Sequence, residues 1–137
     1  MINALTTGYV TEKLKENKMK YLALVYYQES IVNAMSEQEW QDLNQECIRC
    51  VEKLSGTGNY IIGQALHPVE TATTVRVRNG ETLVSDGPFA ETKEQLAGFY
   101  LLDARDLNEA IQLASHIPPG RLGSVELRPI RELPPKK

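Results

Sequence analysis

The sequence predicts an α+β fold in which a strand–helix–strand unit, a hairpin and a second strand–helix–strand unit follow one another. Two segments carry apolar residues at helical spacing, and each follows a residue that caps helices well. Short apolar runs typical of strands flank both segments. Between the two units stands Asn79-Gly80, and this dipeptide between two alternating runs indicates a tight hairpin.

The first unit begins with Tyr21–Tyr27, an aromatic and branched run that predicts a buried strand. Ser36 precedes Glu39 by three residues, which is a capping box and marks a helix start. A glycine-containing segment after residue 55 ends this helix. Tyr60–Leu66 predicts the second strand, and His67-Pro68 closes it because proline cannot donate to a ladder. The predicted apolar face of the helix carries Trp40, Leu43, Cys47, Cys50, Val51 and Leu54.

The hairpin pairs Thr73–Arg78 with Glu81–Ser85, because a two-residue loop at Asn79-Gly80 sets the register. One face of the hairpin is then apolar and the other is charged. The apolar face carries Val75, Val77 and Val84, and the charged face carries Arg76, Arg78 and Glu81.

The second unit predicts a strand over Phe99–Ala104, a helix capped by Asp106 and a last strand over Val125–Ile130. Pro118-Pro119-Gly120 stops the helix. Its apolar face is expected to carry Leu107, Ala110, Ile111, Ala114 and Ile117. Because helices can cover only one face of such a mostly antiparallel sheet, the order predicts a ferredoxin-like sandwich with an inserted hairpin. The other face stays open and apolar, and a second copy of the chain is the expected partner.

Length and composition bound the classes of function. The 137 residues suit one domain, which we expect over residues 19–131, with an extension at 1–18 and a solvated tail at 132–137. A net charge of −3 argues against a nucleic-acid partner, and no apolar run is long enough to cross a membrane. The chain lacks a secretory pattern and has only two thiols, so we expect a cytoplasmic protein. No phosphate loop or dinucleotide-binding glycine pattern is found, and we expect neither cofactor nor metal.

One run carries a family resemblance. Asp86–Leu96 resembles the DGPF-motif branch of the YCII-related family, and further likeness extends over about residues 19–130. Ala97 departs from the pattern, since the family more often has a second glycine there. The other similar segments are Met19–Leu22, Thr73–Arg76 with Asn79-Gly80, Gly98–Leu101, Asp106–Ala110 and Gly123–Ile130.

The resemblance implies a ferredoxin-like fold that dimerises as a dimeric α+β barrel. It implies no settled activity, because related barrels include isomerases, small monooxygenases and ligand-sensing domains. Genes of the DGPF branch often neighbour those of extracytoplasmic-function sigma factors, which suggests a regulatory association.

Three residues of this run are candidates for catalysis. Asp86 precedes Gly87-Pro88, so it is either a turn residue or a carboxylate at the mouth of a cleft between hairpin and sheet. Glu91 and Lys93 share one face of an extended chain, where a buried carboxylate beside an ammonium can move a proton. The alternative is a solvated charged edge of the third main strand or a structural ion pair.

Arg76 and His67 are candidates for ligand binding. The Arg76 guanidinium can hold an anion through its forked donors, although it also suits a polar outer hairpin face. His67 stands at a strand end near the expected cleft. Cys47 and Cys50 form a CxxC pattern, but both fall in the middle of a helix, so we interpret them as core thiols and not as a redox or zinc pair.

The main hypothesis is a homodimer that binds a small organic molecule in the cleft beside its open sheet face. A second hypothesis is a regulatory interaction module whose hairpin docks a protein such as a sigma factor. A third is a lyase or isomerase that moves a proton with one carboxylate.

Overall fold

A computed structural model of the protein describes residues 18–134. The predicted extension therefore lies outside the described residues except for Lys18, and so do the last three residues of the predicted tail. Between residues 18 and 134 the chain forms six strands and three α-helices. These are β1 (Met19–Tyr27), α1 (Glu29–Asn33), α2 (Glu37–Gly56), β2 (Tyr60–Ala65), β3 (Thr73–Arg78), β4 (Glu81–Asp86), β5 (Gln95–Ala104), α3 (Leu107–Ala114) and β6 (Gly123–Pro129).

Four strands form the main sheet in the order β2-β5-β1-β6, and every neighbouring pair is antiparallel. In each strand–helix–strand unit, the two strands are separated by one strand of the other unit. The two units therefore interlock, with β1 and β5 at the centre of the sheet. This order and the mixed content confirm the predicted α+β ferredoxin-like fold. Strands β3 and β4 form a separate two-stranded sheet, the inserted hairpin.

Successive residues of β1 point to opposite faces of the sheet. Tyr21, Ala23 and Val25 are at most 3% exposed and belong to the core beneath the helices. Leu22 and Leu24 face the other side and are only half-buried. The core on the helix side combines large residues with alanines, which let the helices approach the strands closely. Its other buried members are Leu43, Cys50, Leu54, Leu102, Ala104, Ala110, Ala114 and Ile117.

Helix α2 starts at the predicted capping box. The Ser36 hydroxyl accepts a hydrogen bond from the Glu39 N–H, and the Glu39 carboxylate accepts one from the Ser36 N–H, both at 3.1 Å. The prediction that Trp40 belongs to the buried face is wrong, because its side chain is 39% exposed. Trp40 lies where a cavity separates α2 from the sheet.

Helix α3 is shorter than predicted and ends at Ala114. Ile117 is buried, as expected, but it lies beyond the helix with an extended backbone (ψ 115°), which is the conformation favoured before a proline. Leu107 and Ile111 are about half exposed, so the prediction that they face the core is wrong. A helix of two turns presents too few positions to the sheet for five apolar residues.

The hairpin has the predicted register and turn. Arg78 pairs with Glu81, and Val75 pairs with Val84. Both loop residues have positive φ, 52° at Asn79 and 78° at Gly80, as a type I′ turn requires. Directly opposite residues of the two strands point to the same face of the hairpin. Val75, Val77 and Val84 therefore share one face, as predicted. All three are about 60% exposed.

Strand β5 begins at Gln95, four residues earlier than predicted. The ladder with β1 continues to this point, because Tyr27 pairs with Gln95 and Tyr26 pairs with Leu96. Ala97 is skipped in this pairing and forms a β-bulge. The segment between Gly87 and Glu94 is irregular, so the expectation that Glu91 and Lys93 share a strand face is wrong.

Asn59 joins four elements at one end of the sandwich and is only 8% exposed. Its amide nitrogen donates to the Asp103 carbonyl oxygen at 2.8 Å and to the Glu109 carboxylate at 3.3 Å, and its amide oxygen accepts from the Thr57 hydroxyl. These bonds connect the end of α2, the start of β2, the end of β5 and helix α3. Satisfied in this way, a buried amide stabilises the arrangement instead of costing free energy.

Within residues 18–134, no helix has both the length and the apolar content that spanning a membrane requires.

The two cysteines lie in the middle of α2, Cys50 buried and Cys47 half-buried. Burial raises the pKa of the Cys47 thiol, and the charges that form at Cys50 and Glu46 raise it further. Burial also raises the pKa of the Cys50 thiol, although Lys53 opposes this. Redox CxxC sites have the opposite arrangement, with a first thiol whose pKa is lowered at a helix N-terminus.

Native Cys47 and Cys50 should react slowly with a thiol reagent, because a raised pKa leaves less thiolate at a given pH. Iodoacetamide labelling of Cys47→Ser and Cys50→Ser variants, followed by mass spectrometry, measures each thiol alone. We expect the rate of each to be lower in the folded protein than in urea, and Cys50 to be the slower of the two. Native rates that match those of the unfolded chain would restore a redox or metal role.

Candidate functional site

A cavity of about 760 Å³ lies where the base of the hairpin meets the ends of β1 and β5, and we name it the hairpin cavity. Its volume is within the range of small-molecule sites. Three stretches of chain form it: residues 66–74, residues 88–92, and the strand ends around Tyr26, Gln95 and Leu96. The wall combines apolar surface from Phe89, Leu66 and Leu96 with a few polar side chains.

Hydrogen bonds at the hairpin base hold one wall in place. The Thr74 hydroxyl donates to the Gly87 carbonyl oxygen at 2.8 Å, and the Gly87 N–H donates to the Ala72 carbonyl oxygen at 2.7 Å. Gly87 has a φ of 90°, a value that favours glycine. The turn after β4 therefore fixes the start of the 88–92 segment against β3.

Glu29 and Gln95 hold two further points of the cavity lining, Val69 and Thr92. The Glu29 carboxylate accepts a hydrogen bond from the Val69 N–H at 2.9 Å, and the Gln95 side-chain oxygen accepts one from the Glu29 N–H at 2.9 Å. The Gln95 amide nitrogen donates to the Thr92 carbonyl oxygen at 2.7 Å. Sequence reasoning gave neither residue this role, since the bonds of Glu29 to Val69 and to Gln95 join segments 40 and 66 residues apart in the chain.

His67, Glu91 and Tyr26 also line the hairpin cavity. Within the described part of the chain, none of the three side chains makes a hydrogen bond to another protein group. A carboxylate, an imidazole and a phenol are therefore free to bind a guest molecule. The sequence predicted His67 and Glu91 as candidates, whereas Tyr26 was considered only for its place in the sheet.

The other predicted candidates lie outside the lining of this cavity. Asp86 is the last residue of β4, is exposed and pairs with Thr73 across the hairpin. Lys93 is exposed in the irregular segment, one residue beyond the lining residue Thr92. Arg76 is exposed on β3, opposite Leu83. The structure thus brings Glu91 and His67 to one cavity, with Asp86 and Lys93 flanking the 88–92 segment in sequence.

Arg78 and Glu81 lie on the charged face of the hairpin but form no ion pair within the described residues. Arg78 and Glu81 face each other in the register, but the Arg78 guanidinium donates to the Val77 carbonyl oxygen at 3.0 Å. Within residues 18–134, no three His, Cys, Asp or Glu side chains are grouped as a metal ion would require.

Comparisons with known proteins identify the family of this chain. The model of the YCII-related domain matches residues 19–134. The chain is also 40% identical over 114 residues to an uncharacterised protein of Rhizobium meliloti (strain 1021), an alignment that covers 82% of this chain and 92% of that protein. Because the domain match and the alignment each span most of the chain, the protein belongs to the family of YCII-related proteins.

Proposed function

We propose that the protein is a homodimer that binds a small organic molecule in the hairpin cavity. One observation carries the proposal: Glu91, His67 and Tyr26 line a single cavity of about 760 Å³ and make no hydrogen bond to other described side chains or backbone. His67 and Glu91 are exposed and Tyr26 is half-buried, so their polar groups are hydrated in the free protein and can exchange that water for a ligand that enters the cavity.

The lining defines the class of ligand. Phe89, Leu66 and Leu96 offer apolar contact for a carbon skeleton, while the Glu91 carboxylate accepts hydrogen bonds from donors such as hydroxyl or amino groups. The His67 imidazole can donate or accept, depending on its protonation. A small molecule with an apolar body and one hydrogen-bond donor group fits this lining best.

The same pair of side chains allows acid–base chemistry. A lyase or isomerase reaction would need one group, such as the Glu91 carboxylate, to remove a proton and another, such as His67, to return it. Proton NMR of a bound compound over time separates the two cases, because a bound ligand keeps its spectrum and a substrate changes it.

The open face of the main sheet supports the dimer. Leu22 pairs with Leu101, and Leu24 pairs with Phe99, so that these side chains form one apolar patch opposite the helices. On the neighbouring strand, Glu126 and Arg128 flank the patch and form an ion pair at 3.5 Å. An apolar centre with a charged edge is the common composition of protein interfaces.

Two finer assignments accompany the proposal. The Asp86–Leu96 run supports placing the protein in the DGPF-motif branch of the family. Cys47 and Cys50 are free thiols, which suits a reducing compartment, and we place the protein in the cytoplasm.

The exposed valine face of the hairpin favours a second candidate function, a regulatory module that docks another protein. Val75 is 59% exposed and Val84 is 64% exposed, although paired valines on a sheet face are normally covered by other apolar side chains. An extracytoplasmic-function sigma factor is the partner to test. Binding that is lost in a Val75→Asp variant but kept when Ala90→Trp fills the hairpin cavity would favour docking over ligand binding.

A thermal-shift screen against a metabolite library should yield compounds that stabilise the protein, since ligand binding raises stability by mass action. We expect true ligands of the hairpin cavity to lose their effect in Ala90→Trp. Their affinity should fall about 10- to 100-fold in Glu91→Gln or His67→Gln, because the first change removes the negative charge and the second replaces the imidazole ring with an amide of different geometry.

The double variant Asp86→Asn with Lys93→Met is the matched comparison, because it removes two charges beside the cavity and none from its lining. A smaller effect on affinity is expected there. If the double variant weakens binding more than Glu91→Gln and His67→Gln do, the binding groups are Asp86 and Lys93. Compounds that bind all these variants equally would contradict the proposed site.

Light scattering at micromolar concentration should give the mass of two chains. A Leu24→Lys variant should give the mass of one chain, because it puts a charge in the centre of the apolar patch. Leu107→Lys is the control, since Leu107 is 51% exposed on helix α3, on the other side of the sheet. A wild-type monomer, or separation caused by Leu107→Lys alone, would contradict the proposed interface.

A further inference from the structure

We propose that the space between helix α2 and the main sheet is a second ligand site, which takes a flat aromatic molecule with one hydrogen-bond acceptor. This space is a cavity of about 360 Å³, which we name the helix cavity. It lies on the helix-covered face of the sheet, whereas the hairpin cavity lies toward the open face. The inference is therefore independent of the function proposed above.

Four aromatic side chains line the helix cavity: Tyr27, Trp40, Tyr60 and Tyr100. The rings of Tyr60 and Tyr100 meet edge to face, with centroids 6.2 Å apart and planes at 82°. Aromatic rings bind other rings in such offset or perpendicular arrangements, which add to the gain from apolar burial. The lining therefore suits a planar aromatic guest better than a flexible chain.

The backbone at Gly63 keeps the Tyr60 ring in place. The Tyr60 hydroxyl donates to the Gly63 carbonyl oxygen at 3.3 Å, so the ring lies back along its own strand. A Cβ atom at Gly63 would lie 3.0 Å from the Tyr60 hydroxyl oxygen and 2.9 Å from the Phe99 carbonyl oxygen. Glycine is thus required for this ring position, and the aromatic wall exists before any ligand arrives.

Two hydroxyl groups supply the polar contact. The hydroxyls of Tyr27 and Tyr100 make no hydrogen bond to other residues in the 18–134 range, unlike that of Tyr60. Burial raises the pKa of both phenols, and the nearby Glu29 carboxylate raises that of Tyr27 further. Both groups are therefore neutral donors near neutral pH, and a ligand acceptor such as a carbonyl oxygen would pair with them.

The charge of the lining completes the ligand class. Among the described residues that line the helix cavity, Glu52 is the one with a charged side chain, and it is exposed. An anionic ligand would lose hydration without gaining a cation, so a neutral molecule is favoured. A cavity of about 150 Å³ holds benzene, and the larger volume here has room for two fused rings.

The probe is 2-acetonaphthone, a neutral two-ring ketone, and 2-ethylnaphthalene is its counterpart without the carbonyl acceptor. Trp40 is the sole tryptophan of the chain, so its indole N–H gives one cross-peak in a proton–nitrogen spectrum. We expect the ketone to shift this cross-peak saturably. Tyr27→Phe or Tyr100→Phe should weaken ketone binding about three- to tenfold, the effect of losing one hydrogen bond, and should leave the affinity for 2-ethylnaphthalene unchanged.

Tyr21→Phe is the matched control, because Tyr21 lies on the same face of β1 but its hydroxyl contacts the Met19 sulfur, away from the cavity. It should bind both probes as the wild type does. Cys47→Leu adds bulk to the lining and should weaken both probes. The proposal fails if no saturable shift occurs, if either Phe variant affects both probes equally, or if Cys47→Leu has no effect.

Discussion

The antiparallel pairing of β1 with β5 positions both cavities. These two strands are the central pair of the sheet, and each side chain along them points either to the helices or to the open face. At the end of β1, Tyr26 contributes to the hairpin cavity and the next residue, Tyr27, contributes to the helix cavity. A one-residue slip in this pairing would exchange the two tyrosines and remove both linings at once.

The β-bulge at Ala97 allows the two cavities to lie side by side. In a regular strand, Leu96 would share the helix face with Gly98 and Tyr100. Because Ala97 is skipped, Leu96 instead pairs with Tyr26 and joins the lining of the hairpin cavity, while Ala97 and Gly98 line the helix cavity. One extra residue therefore changes the direction of a side chain next to a candidate site, which is a common use of bulges.

Local signals in the sequence predicted the fold well. The hairpin turn at Asn79-Gly80 and the capping box at Ser36 depend on residues a few positions apart, and both formed as predicted. The exposure of Trp40 could not be predicted in this way, because helical spacing identifies the apolar face of a helix and not the distance of that face from the sheet. The bulge at Ala97 was also missed, because it depends on how β5 pairs with β1, a strand more than 60 residues away in the sequence.

The run Asp86-Gly87-Pro88-Phe89 illustrates why the candidate site was only partly predictable. Asp86 was the predicted catalytic residue of this run because a carboxylate can transfer a proton. Pro88 and Phe89 line the hairpin cavity, however, and Asp86 does not. Gly87 supplies the positive φ that directs the chain from β4 into the 88–92 segment. The motif therefore acts first on the path of the backbone, and that path brings Glu91 to the cavity that His67 reaches from the end of β2. A sequence pattern records the turn, whereas the meeting of these two side chains depends on packing across the sheet.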